Sequence, residues 1–146
     1  MRRLPADDLL GLPVRLHGIA LGRPVDLIVD PDSWRALGFD VLCGDDAHRF
    51  LPFAAVRVGD DHIAVGSALM LLEDAELAFY RARGATLRGL RGATVTIARK
   101  PAGELRGLIV GETGAILQVA VGSNGTERLI AADPRVAVDA AHRSAA

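Results

Sequence analysis

Gly22-Arg-Pro-Val-Asp-Leu27-Ile28-Val29-Asp30 and Gly103-Glu-Leu-Arg-Gly-Leu108-Ile109-Val110-Gly111 share a leading glycine and an identical Leu-Ile-Val triplet. Similarity extends to both sides of this pair. Upstream, Gly11-Leu-Pro-Val14 matches Gly92-Ala-Thr-Val95; downstream, Arg49-Phe-Leu51 falls opposite Arg128-Leu-Ile130, and Val56-Arg-Val58 falls near Val136-Ala-Val138. A duplicated unit changes the reading of the whole chain. The first unit runs from 11 to 65 and the second from 92 to 139, with 66–91 as a linker.

Inside each unit the pattern is that of short strands and turns. Thr94-Val95-Thr96-Ile97 and Phe39-Asp40-Val41-Leu42-Cys43 alternate with period two, while the Leu-Ile-Val triplets are unbroken, as expected where both faces of a strand are covered. Gly44-Asp45-Asp46, Gly59-Asp60-Asp61 and Ser123-Asn124-Gly125 supply turns, because Gly and Asn tolerate positive φ and Asp can bond its own backbone. A meander that curls on itself removes edges that a unit of roughly fifty residues could not otherwise protect. The expected fold is therefore all-β: two small barrel-like units joined by a short helical linker.

The helix is expected over 74–83. Glu73, Asp74 and Glu76 gather at its start, Arg81 and Arg83 at its end, and Gly84 stops it, so charge complements the helix dipole at both ends. Leu77 and Tyr80 share a face, with Phe79 beside them. The tail 140–146 is small and polar enough to fray.

The order of these motifs resembles the PRC-barrel family. The resemblance rests on Gly11-x-x-Val14, Gly22-x-x-x-Asp26-Leu-Ile-Val-Asp30, the alternating strand to Cys43, and Phe50-Leu51-Pro52-Phe53-x-x-Val56. In the second unit Ala131-Ala132-Asp133-Pro134 stands where the first has Leu51-Pro52-Phe53-Ala54. Such a resemblance implies a small β-barrel that acts by binding other macromolecules, and it implies no chemistry.

Composition narrows the function classes. Half of the 146 residues are apolar and the net charge is −1, which fits a folded chain that is neither a polycation nor an acidic disordered segment. Residues 1–76 carry seven basic and thirteen acidic side chains, whereas 77–146 carry ten and five, so the halves attract each other or another copy. One cysteine, Cys43, cannot form an internal disulfide, and the expected setting is the cytoplasm. The longest apolar run, Ala68 to Leu72, is too short to cross a bilayer, so no membrane insertion is expected.

No catalytic residue, cofactor or metal is assigned. Asp45-Asp46-Ala-His48 and Asp60-Asp61-His62 could recruit a cation, but neighbouring side chains in a turn diverge, and solvated hairpins are the simpler reading. Cys43 ends an apolar strand as a small hydrophobe, and Ser33, Ser67 and Ser123 lack a nucleophile elbow.

What remains is binding. A non-enzymatic protein-interaction module is expected, with Trp34, Leu37, Met70, Leu72, Phe79 and Tyr80 as its candidate interface and with itself, as a homodimer, and an unidentified protein as partners. Alternatively, Arg81, Arg83, Arg88, Arg91, Arg99 and Lys100 form a basic stripe for an RNA- or ribosome-associated factor, although few aromatics accompany it. A small-molecule or metal-binding regulator is the third reading.

Overall fold

The computed structural model describes residues 2–139, and the expected fraying of the tail 140–146 falls outside them. Of the described residues, 54% are in strands and 18% are helical. The fold is mostly β and barrel-like, as the turn-rich alternation implies.

In chain order the elements are β1 (Arg3–Pro5), α1 (Ala6–Leu10), β2 (Val14–Leu16), β3 (Ile19–Asp30), β4 (Arg35–Cys43), β5 (His48–Pro52), β6 (Val56–Val58), β7 (Ile63–Val65), α2 (Asp74–Arg83), β8 (Ala85–Thr86), α3 (Leu87–Leu90), β9 (Thr94–Ile97), β10 (Lys100–Gly111), β11 (Ile116–Ser123), β12 (Thr126–Ala131) and β13 (Val136–Val138). Short 3-10 turns occupy Phe53–Ala55 and Ala68–Met70. The helix α2 has the bounds its charges imply; α1 and α3, of one turn each, add to the single helix expected.

Each repeat builds one sheet. The first has the order β5-β4-β3-β2-β7-β6, the second β12-β11-β10-β9-β13. From Leu27 to Leu108 the offset is 81 residues, and the hydrogen-bond register repeats with it: Val14 faces Gly22 and Arg15 faces Ala20, while Val95 faces Gly103 and Thr96 faces Pro101. The irregularities repeat too. β3 carries bulges between Pro24 and Asp26 and between Ile28 and Val29; β10 carries them between Leu105 and Gly107 and between Ile109 and Val110. Bulges increase strand twist, so the paired bulges add twist at corresponding places in β3 and β10. Left-handed pairs close the matching hairpins, His17 and Gly18 in one, Ala98 and Arg99 in the other.

One correspondence needs correction. Val136–Val138 takes the place of Ile63–Val65 rather than of Val56–Val58, since β13 pairs with β9 where β7 pairs with β2. An extra hairpin, turning at Gly59-Asp60-Asp61, lets β7 run parallel to β2, whereas β13 arrives antiparallel.

The repeats are interlocked. β1, which precedes the first repeat, pairs with β10 of the second (Leu4 with Val110, Pro5 with Ile109), and β8, which precedes the second, pairs with β3 of the first (Ala85 with Val29, Thr86 with Ile28). A second reciprocal contact lies where the β3–β4 and β10–β11 turns meet. Arg35 bridges Ala115, the Ala36 N–H donates to the Gly114 carbonyl at 2.7 Å, and the Ile116 N–H donates to the Trp34 carbonyl at 2.8 Å. These paired exchanges describe an approximate two-fold relation within one chain. The two sheets share one core, in which Leu27, Val29 and Phe39 belong to the same cluster as Leu108, Val110 and Val119. The helix α2 therefore does not hold the two units apart. At Gly84 the chain turns back so tightly that a Cβ would lie 2.5 Å from the Val29 carbonyl oxygen.

Candidate binding surface

Helix α2 packs on the outer face of the first sheet. Leu77 joins Ile28 and Phe50 in a small buried cluster, and Tyr80 stacks on Phe50 with ring centroids 4.2 Å apart. Beneath the helix Asp40 is 2% exposed and accepts from Arg81 and from His48 Nδ1 at 2.8 Å. This buried carboxylate fixes which helix face is down, because leaving it unpaired in a dry site is costly.

Asp26, 9% exposed, is the second buried carboxylate. Burial pushes its pKa above the ordinary 3.8, opposed by the N–H groups of Arg88 and Leu27. The folded state therefore holds this proton more tightly than the unfolded chain does, so Asp26 costs stability at neutral pH, and the cost fades as pH falls through the raised pKa towards 3.8. Asp26→Asn should accordingly melt higher than the parent at pH 7, with the gap closing near pH 4; a gap that widens on acidification would show the sign to be wrong.

The surface beside α2 is a groove of about 500 Å³. One wall comes from Leu21 and from Cys43, Asp45 and Arg49 around the β4–β5 turn; the other comes from the segment 68–76, with Leu69, Leu71, Leu72, Glu73 and Glu76. The apolar run from Ala68 to Leu72 is thus only half covered. Leu72 exchanges two backbone hydrogen bonds with Phe50 (2.9 and 2.8 Å), which seats it at the edge of the sheet, whereas Leu69 is 86% and Met70 42% exposed. The Ser67 hydroxyl accepts from the Leu69 N–H at 3.1 Å and fixes the turn that presents them.

Charge around the groove is mainly acidic. Arg49 grips Asp45 with two hydrogen bonds (3.0 and 2.8 Å), holding that carboxyl down to a pKa of about 2, and reaches Glu73 at 4.0 Å. Glu76 has no ion pair among the described residues. Cys43 Sγ is buried at the groove wall, 3.8 Å from the Val41 carbonyl.

The expected interface residues separate. Met70 and Phe79 are exposed; Leu37 and Leu72 are half-buried beside α2, and Tyr80, on α2 itself, is half-buried against Phe50. Trp34 is 5% exposed, and its indole N–H donates to the Val136 carbonyl at 3.1 Å, so the ring is spent joining the repeats and is not available to a partner. The basic residues separate as well. Arg81 pairs with Asp40, Arg91 with Asp7, Arg83 stacks over Phe79 at 5.4 Å, and Arg88 leans on the Val25 carbonyl. Arg99 and Lys100 sit at the β9–β10 turn, so the six cations are spread over several elements, mostly engaged within the chain. Of the acidic turns, His48 is tied to Asp40 and His62 to Asp61, and among the described residues no three metal-ligating side chains converge.

Among the described residues no helix is long and apolar enough to cross a membrane. No protein-family model matches the chain, and no curated protein matches it.

Proposed function

We propose that this protein is a non-enzymatic interaction module that binds an apolar, lysine- or arginine-bearing segment of a partner protein in the groove beside α2. The observation that supports this reading is the combination in one groove of Leu21, Leu69, Leu71 and Leu72 with Asp45, Glu73 and Glu76. Leucines give such a site its affinity, and acidic groups at the rim select a basic partner and speed its encounter. The resemblance to PRC-barrel domains points the same way. Trp34 and four of the six basic residues are occupied inside the chain, which weighs against an RNA stripe.

A short synthetic peptide of leucine pairs separated by lysines, fluorescently labelled, is the direct probe, with glutamate in place of lysine as its control. The lysine peptide should bind saturably, and the paired change Glu73→Lys with Glu76→Lys should weaken it by roughly tenfold or more. Equal binding of the two peptides, or indifference to the charge reversal, would remove the groove as the site. Polyuridine titrated at the same salt should leave the signal flat, since phosphate binding depends on free cations and Arg49, the arginine on the groove wall, is already paired with Asp45 and Glu73.

A further inference from the structure

The two sheets have equivalent outer faces, and only one of them is covered. Position by position, Ile28, Leu37 and Phe50 of the first sheet correspond to Ile109, Leu117 and Leu129 of the second. Under α2 Ile28 and Phe50 are closed off, 0% and 1% exposed, while Leu37 at the margin is half-buried. On the second sheet Leu129 is 47% exposed and Ile109 and Leu117 are only half-buried. Among the described residues no helix covers it as α2 covers the first sheet; the end of β1 and the first turn of α1, with Pro5, Ala6 and Asp7, only form one side. A depression of about 330 Å³ remains, floored by Ile109, Ala120 and Leu129 and rimmed by Arg106, Glu127 and Arg128.

The differences between the faces say what would fit. The buried Asp40 corresponds to Ala120, and Asp26 to Gly107. The first face thus demands a cation from its helix, Arg81, whereas the second has no buried charge to satisfy and accepts a purely apolar helix face. Arg106 already pairs with Glu104 at 3.4 Å, but Arg128 has no ion pair among the described residues, so an acidic side chain on the edge of the occupant would meet it.

The geometry points to a docking site on β10–β12 for an amphipathic helix of a partner protein, with apolar residues three apart as in Leu77 and Tyr80, a small residue where α2 has Arg81, and an acidic flank. The chain's own α2 supplies the precedent, for it shows that this sheet curvature receives a helix. Helix-in-groove recognition reads the same spacing elsewhere. This site is separate from the groove beside α2, and the two succeed or fail independently.

The probe is a stapled, fluorescent peptide with the α2 sequence Asp74–Arg83 carrying Arg81→Ala, titrated with the full chain. The substitution disfavours exchange with the resident α2, which Asp40 holds through Arg81. Saturable one-to-one binding is expected, weakened roughly tenfold or more by Leu129→Glu and severalfold by Arg128→Glu, and unchanged by Leu69→Glu in the other groove. Circular dichroism should show Leu129→Glu folded like the parent, because the residue is half in water already. Absence of saturation, or equal binding by Leu129→Glu, overturns the proposal. So does a concentration-dependent dimer that Leu129→Glu dissolves and the peptide fails to displace, since a second copy would then be the occupant.

Discussion

Trp34→Ala should destabilise the protein by about 3–5 kcal/mol, the usual range for deleting a buried aromatic side chain from a core. The ring is 5% exposed, and its N–H bonds a carbonyl 102 residues away, so the change removes apolar contact and leaves the Val136 carbonyl short of its donor. In a chain of this size the melting temperature should fall by roughly 10 °C or more. Trp34→Phe separates the two contributions: it keeps most of the packing and loses the donor, and should cost about 1–2 kcal/mol. Backbone strain adds to the interest of the position, since Trp34 has φ 52 where its counterpart is Gly114 with φ 95. If Trp34→Ala melted within a few degrees of the parent, the indole and its bond to Val136 would not be what joins the repeats.

The second large effect is a contrast between corresponding residues. Ile28→Asp places an unpaired charge beneath α2, at a site with no exposure, and should abolish folding, because the cost exceeds the marginal stability of a small domain. Ile109→Asp falls on the uncovered face. There the carboxylate can reach water, and Arg106 and Arg128 stand at the rim, so the chain should fold with a loss of about 1–2 kcal/mol. Chemical denaturation of the two variants checks this directly. Equal damage from both would mean that the faces are equally covered, contrary to the exposure of Leu129.

That contrast also marks how far the sequence could be read. The Leu-Ile-Val triplets, the turn residues and the charges at both ends of α2 act locally, through strand period, positive φ and dipole complementarity, and so the repeats, the mostly β fold and the helix are legible in the residues alone. An unbroken triplet suggests cover on both faces, which holds for Ile28 and fails for Ile109. Nothing in either triplet could tell them apart, because the difference lies in whether a helix distant in sequence lands on it. Strands of two or three residues, such as β1 and β8, have no period to detect, and their exchange between the sheets is a property of the packed pair. Trp34 carries no local sign of burial either, standing as it does in a turn among exposed polar residues. The groove is partly legible: the run 68–72 stands out as the longest apolar one, but which of its leucines stay in water is decided by the bridge from Leu72 to Phe50.

The exchange of β1 and β8 has a consequence for how the chain matures. During synthesis the first sheet emerges without Ala85 and Thr86, and Arg3–Pro5 must wait for β10, while the carbonyl that accepts from Trp34 is made 102 residues after it. Neither half can be finished and set aside before the other exists. Emergence of the second repeat, rather than the completion of the first, is then the moment at which the native structure becomes available. Until that moment the unpaired edges of β3 and β10 are open to other chains, which makes the nascent polypeptide a natural client for chaperones that shield exposed strands.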